Sequence, residues 1–287
     1  MQAVVFMVLA ALLFSMMGVA VKLASASYPA AEIVFYRGVV GALTMWAWGR
    51  WQGVGMRTRV PMLHVWRSAS GVSALMLWFS AIAVLPLATA VTLNYMSSVW
   101  MAVFVIAMGL WRRSARLDAH LVLAVAAGFI GVVLILQPTV QGYPLWGGLA
   151  GLASGMLSAT AYLQVSALGK AGEPEARVVF YFSLCGAAAG AVLTTLGAGW
   201  HGHTPRGLAL LLAAGVLATA AQLLMTRAYA IGRQLTNATL QYLGIVFSFG
   251  WGVLLFDDPV HVSALAGMLM IVGAGIAAAR LRGRRPS

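Results

Sequence analysis

Two stretches of this chain carry groups able to recognise a polar solute. In TAVTLNYMSSVW (Thr89–Trp100) and TNATLQYLGIVF (Thr236–Phe247) a carboxamide precedes a tyrosine, as Asn94–Tyr95 and Gln241–Tyr242. At an offset of 147 the stretches also agree at Thr89/Thr236, Thr92/Thr239, Leu93/Leu240 and Val99/Val246. Amides, hydroxyls and phenols donate and accept hydrogen bonds without titrating near neutrality, so they suit binding rather than proton transfer. Residues three and four apart share a helix face. That spacing lines up Asn237, Gln241, Gly244 and Ser248 in one segment and Ala90, Asn94, Ser97 and Met101 in the other, with Ser98 beside them. An amide facing lipid loses water without a partner, at about 2–7 kcal/mol, so both stripes turn inward. There they either tie helices together, at about 0.6 kcal/mol per bond, or line a cavity.

Aromatic and charged side chains extend the candidate set. Trp78, Tyr95, Trp100, Tyr162, Tyr229, Tyr242 and Trp251 lie away from segment ends. They either pack the core or form a wall of apolar faces with polar tips, suited to amphipathic solutes. Trp46, Trp48, Trp51, Trp66, Trp111 and Trp146 lie near segment ends and read as interfacial anchors. Lys22, on a face with Ser15 and Gly18, either snorkels to the near interface or reaches the solute. Arg37 is deeper, and either pairs with Glu32 or attracts a substrate carboxylate. No phosphate-binding GxxxxGK[ST] loop, HExxH pair or Cys/His cluster is present, and the His201/His203 pair alone is a weak metal signal. No paired intramembrane carboxylates appear either, so facilitated movement or exchange is expected rather than strict proton coupling. We expect no catalytic group, cofactor or metal, and therefore no enzyme.

The elements that position these groups follow from composition. The chain has 287 residues, 62% hydrophobic and 8% charged, whereas a soluble domain carries roughly 25% charged residues. Its solvent must be lipid. Charge clusters, Pro and Gly cut it into ten segments near the ~20 residues a spanning helix needs: 4–24, 31–50, 67–86, 88–110, 118–137, 145–168, 177–197, 206–230, 235–256 and 261–281. The apolar N-terminal run lacks a basic n-region and reads as the first span, not a leader. Cys185 is the single cysteine, so no internal disulfide forms.

The net charge of +12 is distributed by side rather than clustered for nucleic acid. Arg50, Arg57, Arg59, Arg67, Arg112, Arg113, Arg116, Lys170, Arg177, Arg233, Arg280, Arg282, Arg284 and Arg285 flank alternate connections or the tail, and only Arg206 falls in the others. Fourteen basic residues against one places both termini in the cytoplasm.

A second repeated pair explains the first. EIVFYRGVVGA (Glu32–Ala42) aligns with RVVFYFSLCGA (Arg177–Ala187) at an offset of 145, matching Val34/Val179, Phe35/Phe180, Tyr36/Tyr181, Gly41/Gly186 and Ala42/Ala187. Residues 1–140 and 141–287 therefore read as copies of five helices each, and the odd number turns the second copy upside down. Inverted repeats are the signature of carriers that work by alternating access. The fold expectation is an all-α integral membrane protein of ten transmembrane helices in two inverted five-helix repeats. Gly128, Gly131, Gly267, Gly273 and Gly275, in helices 5 and 10, are expected to pack those end helices together or to form a dimer contact.

LPLATAVTLNYMSSVW, AIGRQLTNATLQYLGIVFSFGWGVLLFDDP and FYRG resemble the two copies of the EamA-type module of the drug/metabolite transporter superfamily, and within it the YddG-type bacterial amino-acid exporters. The resemblance covers essentially the whole chain. One departure is MGLWRR, which lacks the acid that often closes the fourth helix, while Asp257 and Asp258 remain after the ninth. The resemblance implies export of amino acids, including aromatic and other apolar ones, and of related small metabolites across a bacterial inner membrane. The cavity is expected between helices 3, 4, 8 and 9, with 1 and 6 contributing. Trp78 and Tyr95 would meet the side chain of the solute, and Asn94, Gln241 and Lys22 its backbone groups; Ser98, Tyr162, Tyr242 and Ser248 complete the candidate substrate-binding set. The other partners expected are membrane lipids and, as a monomer or homodimer, a second copy. Export of drugs or nucleotide-derived metabolites is the alternative of the same class, and a lipid-modifying enzyme that of another.

Overall fold

The computed structural model describes residues 2–97, 99–101, 103–104, 107, 119–142, 144–231 and 240–283. Among them are ten helices: α1 Gln2–Ala24, α2 Ala30–Trp51, α3 Pro61–Val84, α4 Leu87–Tyr95, α5 Ala119–Gly142, α6 Leu145–Lys170, α7 Glu175–Leu196, α8 Pro205–Ile231, α9 Leu243–Phe256 and α10 Val262–Gly283. Gln2–Ala24, Pro61–Val84, Glu175–Leu196 and Pro205–Ala228 are long and apolar enough to cross a membrane; Val125–Leu134, Leu243–Phe256 and Val262–Ala274 are shorter apolar helical stretches. Proline sets many of the starts. Pro29, Pro86, Pro144 and Pro174 stand just before α2, α4, α6 and α7, and Pro61 and Pro205 open α3 and α8. The ring fixes a helical φ where the missing N–H has no intrahelical acceptor.

One boundary differs in a way that matters. The α3 start was expected at Arg67, because hydropathy is low across PMLHVWR, but Pro61 begins the helix earlier. Arg67 therefore lies within the bundle, 6% exposed, instead of flanking a connection.

The helix pairing is symmetric under exchange of the halves. α1 packs with α8 and α6 with α3; α1 with α9 and α6 with α4; α2 with α8 and α7 with α3. The equivalent helices α2 and α7, α4 and α9, and α5 and α10 pack against each other. They run antiparallel where glycines reveal the register. A Cβ on Gly38 would lie 2.4 Å from the Ala187 nitrogen, and one on Gly190 2.6 Å from the Phe35 nitrogen. Position rises along α2 as it falls along α7, which inverts one half relative to the other. A Cβ on Gly131 would meet the Gly267 carbonyl at 2.8 Å, and one on Gly128 would meet Ala274 at 3.5 Å. Gly128, Gly131 and Gly267 thus serve internal α5–α10 packing, whereas Gly273 is exposed and faces open space.

Two matched staples hold the ends. Tyr181 Oη on α7 donates to the Met56 carbonyl (2.9 Å) in the α2–α3 connection. Its repeat equivalent, Tyr36 on α2, contacts His203 in the α7–α8 connection. Beside Tyr181, the buried Glu173 carboxylate accepts from Thr58 (2.9 Å), His64 (3.1 Å) and Arg177 (3.1 Å). Burial opposes the charge on Glu173, but the bonds from Thr58, His64 and Arg177 outweigh it and hold the group below its usual carboxylate range. Beside Tyr36, Glu32 accepts from His201 at 2.9 Å.

Candidate functional site

The inward turn of the α9 stripe is visible in its contacts. Gln241 Nε2 reaches Tyr162 Oη on α6 (3.2 Å). Gly244 faces Tyr95 of α4 so closely that a Cβ there would lie 2.7 Å from the phenol oxygen. Ser248 is fully buried. One turn on, Trp251 Nε1 donates to Ser15 of α1 (3.1 Å). The face thus meets α6, α4 and α1 in succession.

The α4 stripe meets the same helix. Asn94 Nδ2 donates to Ser154 Oγ (3.0 Å) and Ser158 Oγ (3.2 Å) on α6. Backbone contact supports it: a Cβ on Gly155 would lie 2.6 Å from the Leu93 carbonyl. Ser154, Ser158 and Tyr162 follow at i, i+4 and i+8, so one face of α6 receives the amides of both halves. For Asn94 these are interhelical bonds of the gluing kind.

Both carriers of the stripe show a one-residue turn, still in right-handed helical conformation, at or just after the repeated tyrosine. α4 ends at Tyr95 with a turn at Met96, before helix resumes at Ser97. Leu240 and Gln241 are helical, Tyr242 is a turn, and α9 begins at Leu243. Trp78 (7% exposed), Tyr95 and Tyr242 share one apolar cluster with Phe182 and Leu93, and the Trp78 Nε1–H makes no hydrogen bond there. Ser98, Asn237 and the Tyr229 side chain lie outside the described residues.

Lys22 sits at the end of the bundle that the charge bias assigns to the outside. Its Nζ lies 3.0 and 3.2 Å from the Asp258 carboxylate oxygens, and 4.6 Å from the centre of the Phe256 ring. Asp258 also accepts the Leu87 N–H at the start of α4 (2.9 Å). Asp257, at φ 50°, takes the left-handed conformation that ends α9 and turns Asp258 back. One carboxylate so joins α1, α4 and the α9–α10 connection. Lys22 also lines an open cavity of about 470 Å³ together with Tyr28, Ala83, Arg206, Leu210 and Phe256.

Arg37 does not pair with Glu32, which is taken up by His201. It is 4% exposed and lies over the Phe182 ring at 5.2 Å. Arg67 lies over the same ring at 4.1 Å. The buried Nε of each makes no hydrogen bond. Hydropathy hid Arg67; the available signal was Gly71 four residues on, whose missing side chain leaves room for the guanidinium, since a Cβ there would lie 1.8 Å from Arg67 Nη1.

Residues 1–137 match the EamA-like transporter family. The pseudopaline exporter CntI of Pseudomonas aeruginosa, from two strains, is 36% identical over 98% of this chain and 97% of its own length. A riboflavin transporter of Rhizobium johnstonii is 30% identical over 78% of this chain and 73% of its own. A crystal structure 23% identical to this chain superposes with a TM-score of 0.67 over 99% of each, which shows the shared fold. With relatives at that identity along nearly its whole length, and with the helical pairing described above, the chain belongs to the EamA-like transporter family and is a multi-pass membrane transporter of small metabolites, not an enzyme.

Proposed function

We propose that this chain exports amino acids, including aromatic and other apolar ones, and related small metabolites by alternating access across the inner membrane, with both termini in the cytoplasm. The observation that carries this reading is that a one-residue turn falls at nearly the same point of each half, on Met96 after Tyr95 and on Tyr242, each beside an amide directed to α6. Carriers built from inverted repeats hold their solute where the matched helices of the two halves meet. The halves, residues 1–140 and 141–287, exchange conformations about that point. In the assignment we favour, Trp78, Tyr95 and Tyr242 enclose the apolar part of the solute. Gln241, Tyr162 and Ser248 meet its polar groups with Ser98 nearby, Asn94 holds α4 to α6, and Lys22 stands at the exit.

The 36% identity to pseudopaline exporters favours a second reading, in which pseudopaline itself is the cargo. Counterflow of labelled phenylalanine, leucine and pseudopaline into liposomes holding the purified chain tests both. Amino-acid flux that falls at least about tenfold in Gln241→Leu and Trp78→Ala supports the first. Pseudopaline flux without amino-acid flux replaces it by the second, and no flux of either removes both.

A further inference from the structure

Arg37 and Arg67 sit side by side in the interior with no anion for company. They share one aromatic ring, at 5.2 and 4.1 Å. Neither makes a hydrogen bond or ion pair with another described residue, and each Nε is sealed. The acids are occupied elsewhere. Glu32 is held by His201 through one oxygen, its other being buried without a hydrogen bond; Glu173 is held by Thr58, His64 and Arg177, Glu175 by Arg227, and Asp258 by Lys22. Asp257 is exposed at a helix end, and Asp118, the sixth acid of the chain, lies outside the described residues. Charged side chains inside a membrane protein pair with one another or face a solute pathway; two like charges cannot satisfy each other.

Their location is informative. Arg37 and Phe182 are equivalent positions of the two repeats, 145 residues apart, and they touch. Residues related by a two-fold axis in the membrane plane meet only beside that axis, so the pair lies near mid-depth, the level at which carriers of this kind hold their solute. The surroundings favour acceptors. Ser68 Oγ beside Arg67, and Trp78 Nε1 on the same α3 face, are buried without hydrogen-bond partners. Tyr162, which receives the Gln241 amide, is within electrostatic range of Arg67.

We propose that Arg37 and Arg67 together bind carboxylates of the cargo, so that the preferred solute is a net-anionic acid bearing at least two carboxylates beside an apolar group, rather than a simple zwitterion. Guanidinium forks match planar carboxylates in bidentate geometry. Two of them lie over one ring here, and no carboxylate of a described residue is bonded to either. The proposal rests on the carrier reading above and, among its amino acids and related metabolites, puts diacids ahead of zwitterions such as phenylalanine.

Calorimetric titration of the purified full chain tests it with N-(carboxymethyl)phenylalanine, the corresponding diamide, phenylalanine and phenyl phosphate. The diacid should bind at least about tenfold more tightly than phenylalanine or the diamide. That preference should vanish in Arg37→Gln and Arg67→Gln and weaken in Gly71→Ala, where the new methyl displaces Arg67. Equal affinity of the wild-type protein for diacid and diamide, or no binding of either, overturns the proposal without any variant. So does a preference unchanged in folded Arg37→Gln and Arg67→Gln, or tighter binding of phenyl phosphate. Counterflow separates the two readings. Flux of any solute that ignores both arginines defeats the anion site and leaves the carrier; arginine-dependent binding with no flux of diacid, amino acid or pseudopaline defeats the carrier and leaves the site.

Discussion

Removing the Asp258 carboxylate should loosen the end of the bundle that it ties together. It holds Lys22 at 3.0 Å and the Leu87 N–H at 2.9 Å, and both charged side chains are largely buried, at 16% and 14% exposure. Opposite charges at that distance attract by about 5 kcal/mol at an effective dielectric of about 20. Desolvation of both consumes much of this, leaving a coupling of about 2 kcal/mol. If the pair exists only in the closed arrangement of this end, its loss raises the open population about 30-fold. Thr89, 4% exposed, lines a narrow cleft with Pro86 and Asp258, so a thiol there reports opening. In a Cys185→Ser, Thr89→Cys background, Asp258→Ala should raise the rate of labelling by a cationic methanethiosulfonate about 30-fold. Asp258→Asn should raise it less, because its amide oxygen still accepts from Leu87. Lys22→Met combined with Asp258→Asn should be less than additive by about 2 kcal/mol. Labelling within twofold of the parent in every variant would refute the reasoning.

Other consequences are simpler to read. Gly38→Ala and Gly190→Ala each place a methyl 2.4–2.6 Å from backbone nitrogen of the facing helix; since backbone cannot turn aside as a side chain can, each should cost more than about 3 kcal/mol, seen as a lowered Tm in detergent. Glu173→Gln should cost about 2 kcal/mol at neutral pH by weakening three bonds to a carboxylate. The folded-state pKa of Glu173 is depressed, so its contribution is complete above the unfolded value of about 4.3 and is lost as pH falls through the lower folded value. The Tm gap between wild type and variant should therefore close as pH falls below about 4; a gap that persists undiminished at about pH 3 would contradict this.

Much of the architecture was written locally. Lipid solubility, helix number and the duplication depend on composition and on short matched phrases, which every spanning helix must carry for itself because lipid offers the backbone no other partners. The inward direction of the Gln241 stripe was legible for the same reason, since an amide has nowhere else to go. The repeated FYR and FYF phrases even marked the two tyrosines that anchor the end connections.

Where each polar group finds its partner could not be read this way. Asn94 and Gln241 are equivalent in sequence, yet Asn94 bonds two serines and Gln241 a tyrosine, all on α6. Lys22 and Asp258, separated by 236 positions, form an ion pair. Arg67 looked like one of many interfacial arginines until Pro61 drew it into the helix and α7 laid Phe182 beneath it. The sequence by itself determined that this chain spans a membrane as two inverted copies, because hydrophobic length and repetition are properties of single segments. Only the tertiary structure decided which buried charges are neutralised and which are left waiting, because an ion pair is fixed by distances between helices that no segment contains alone.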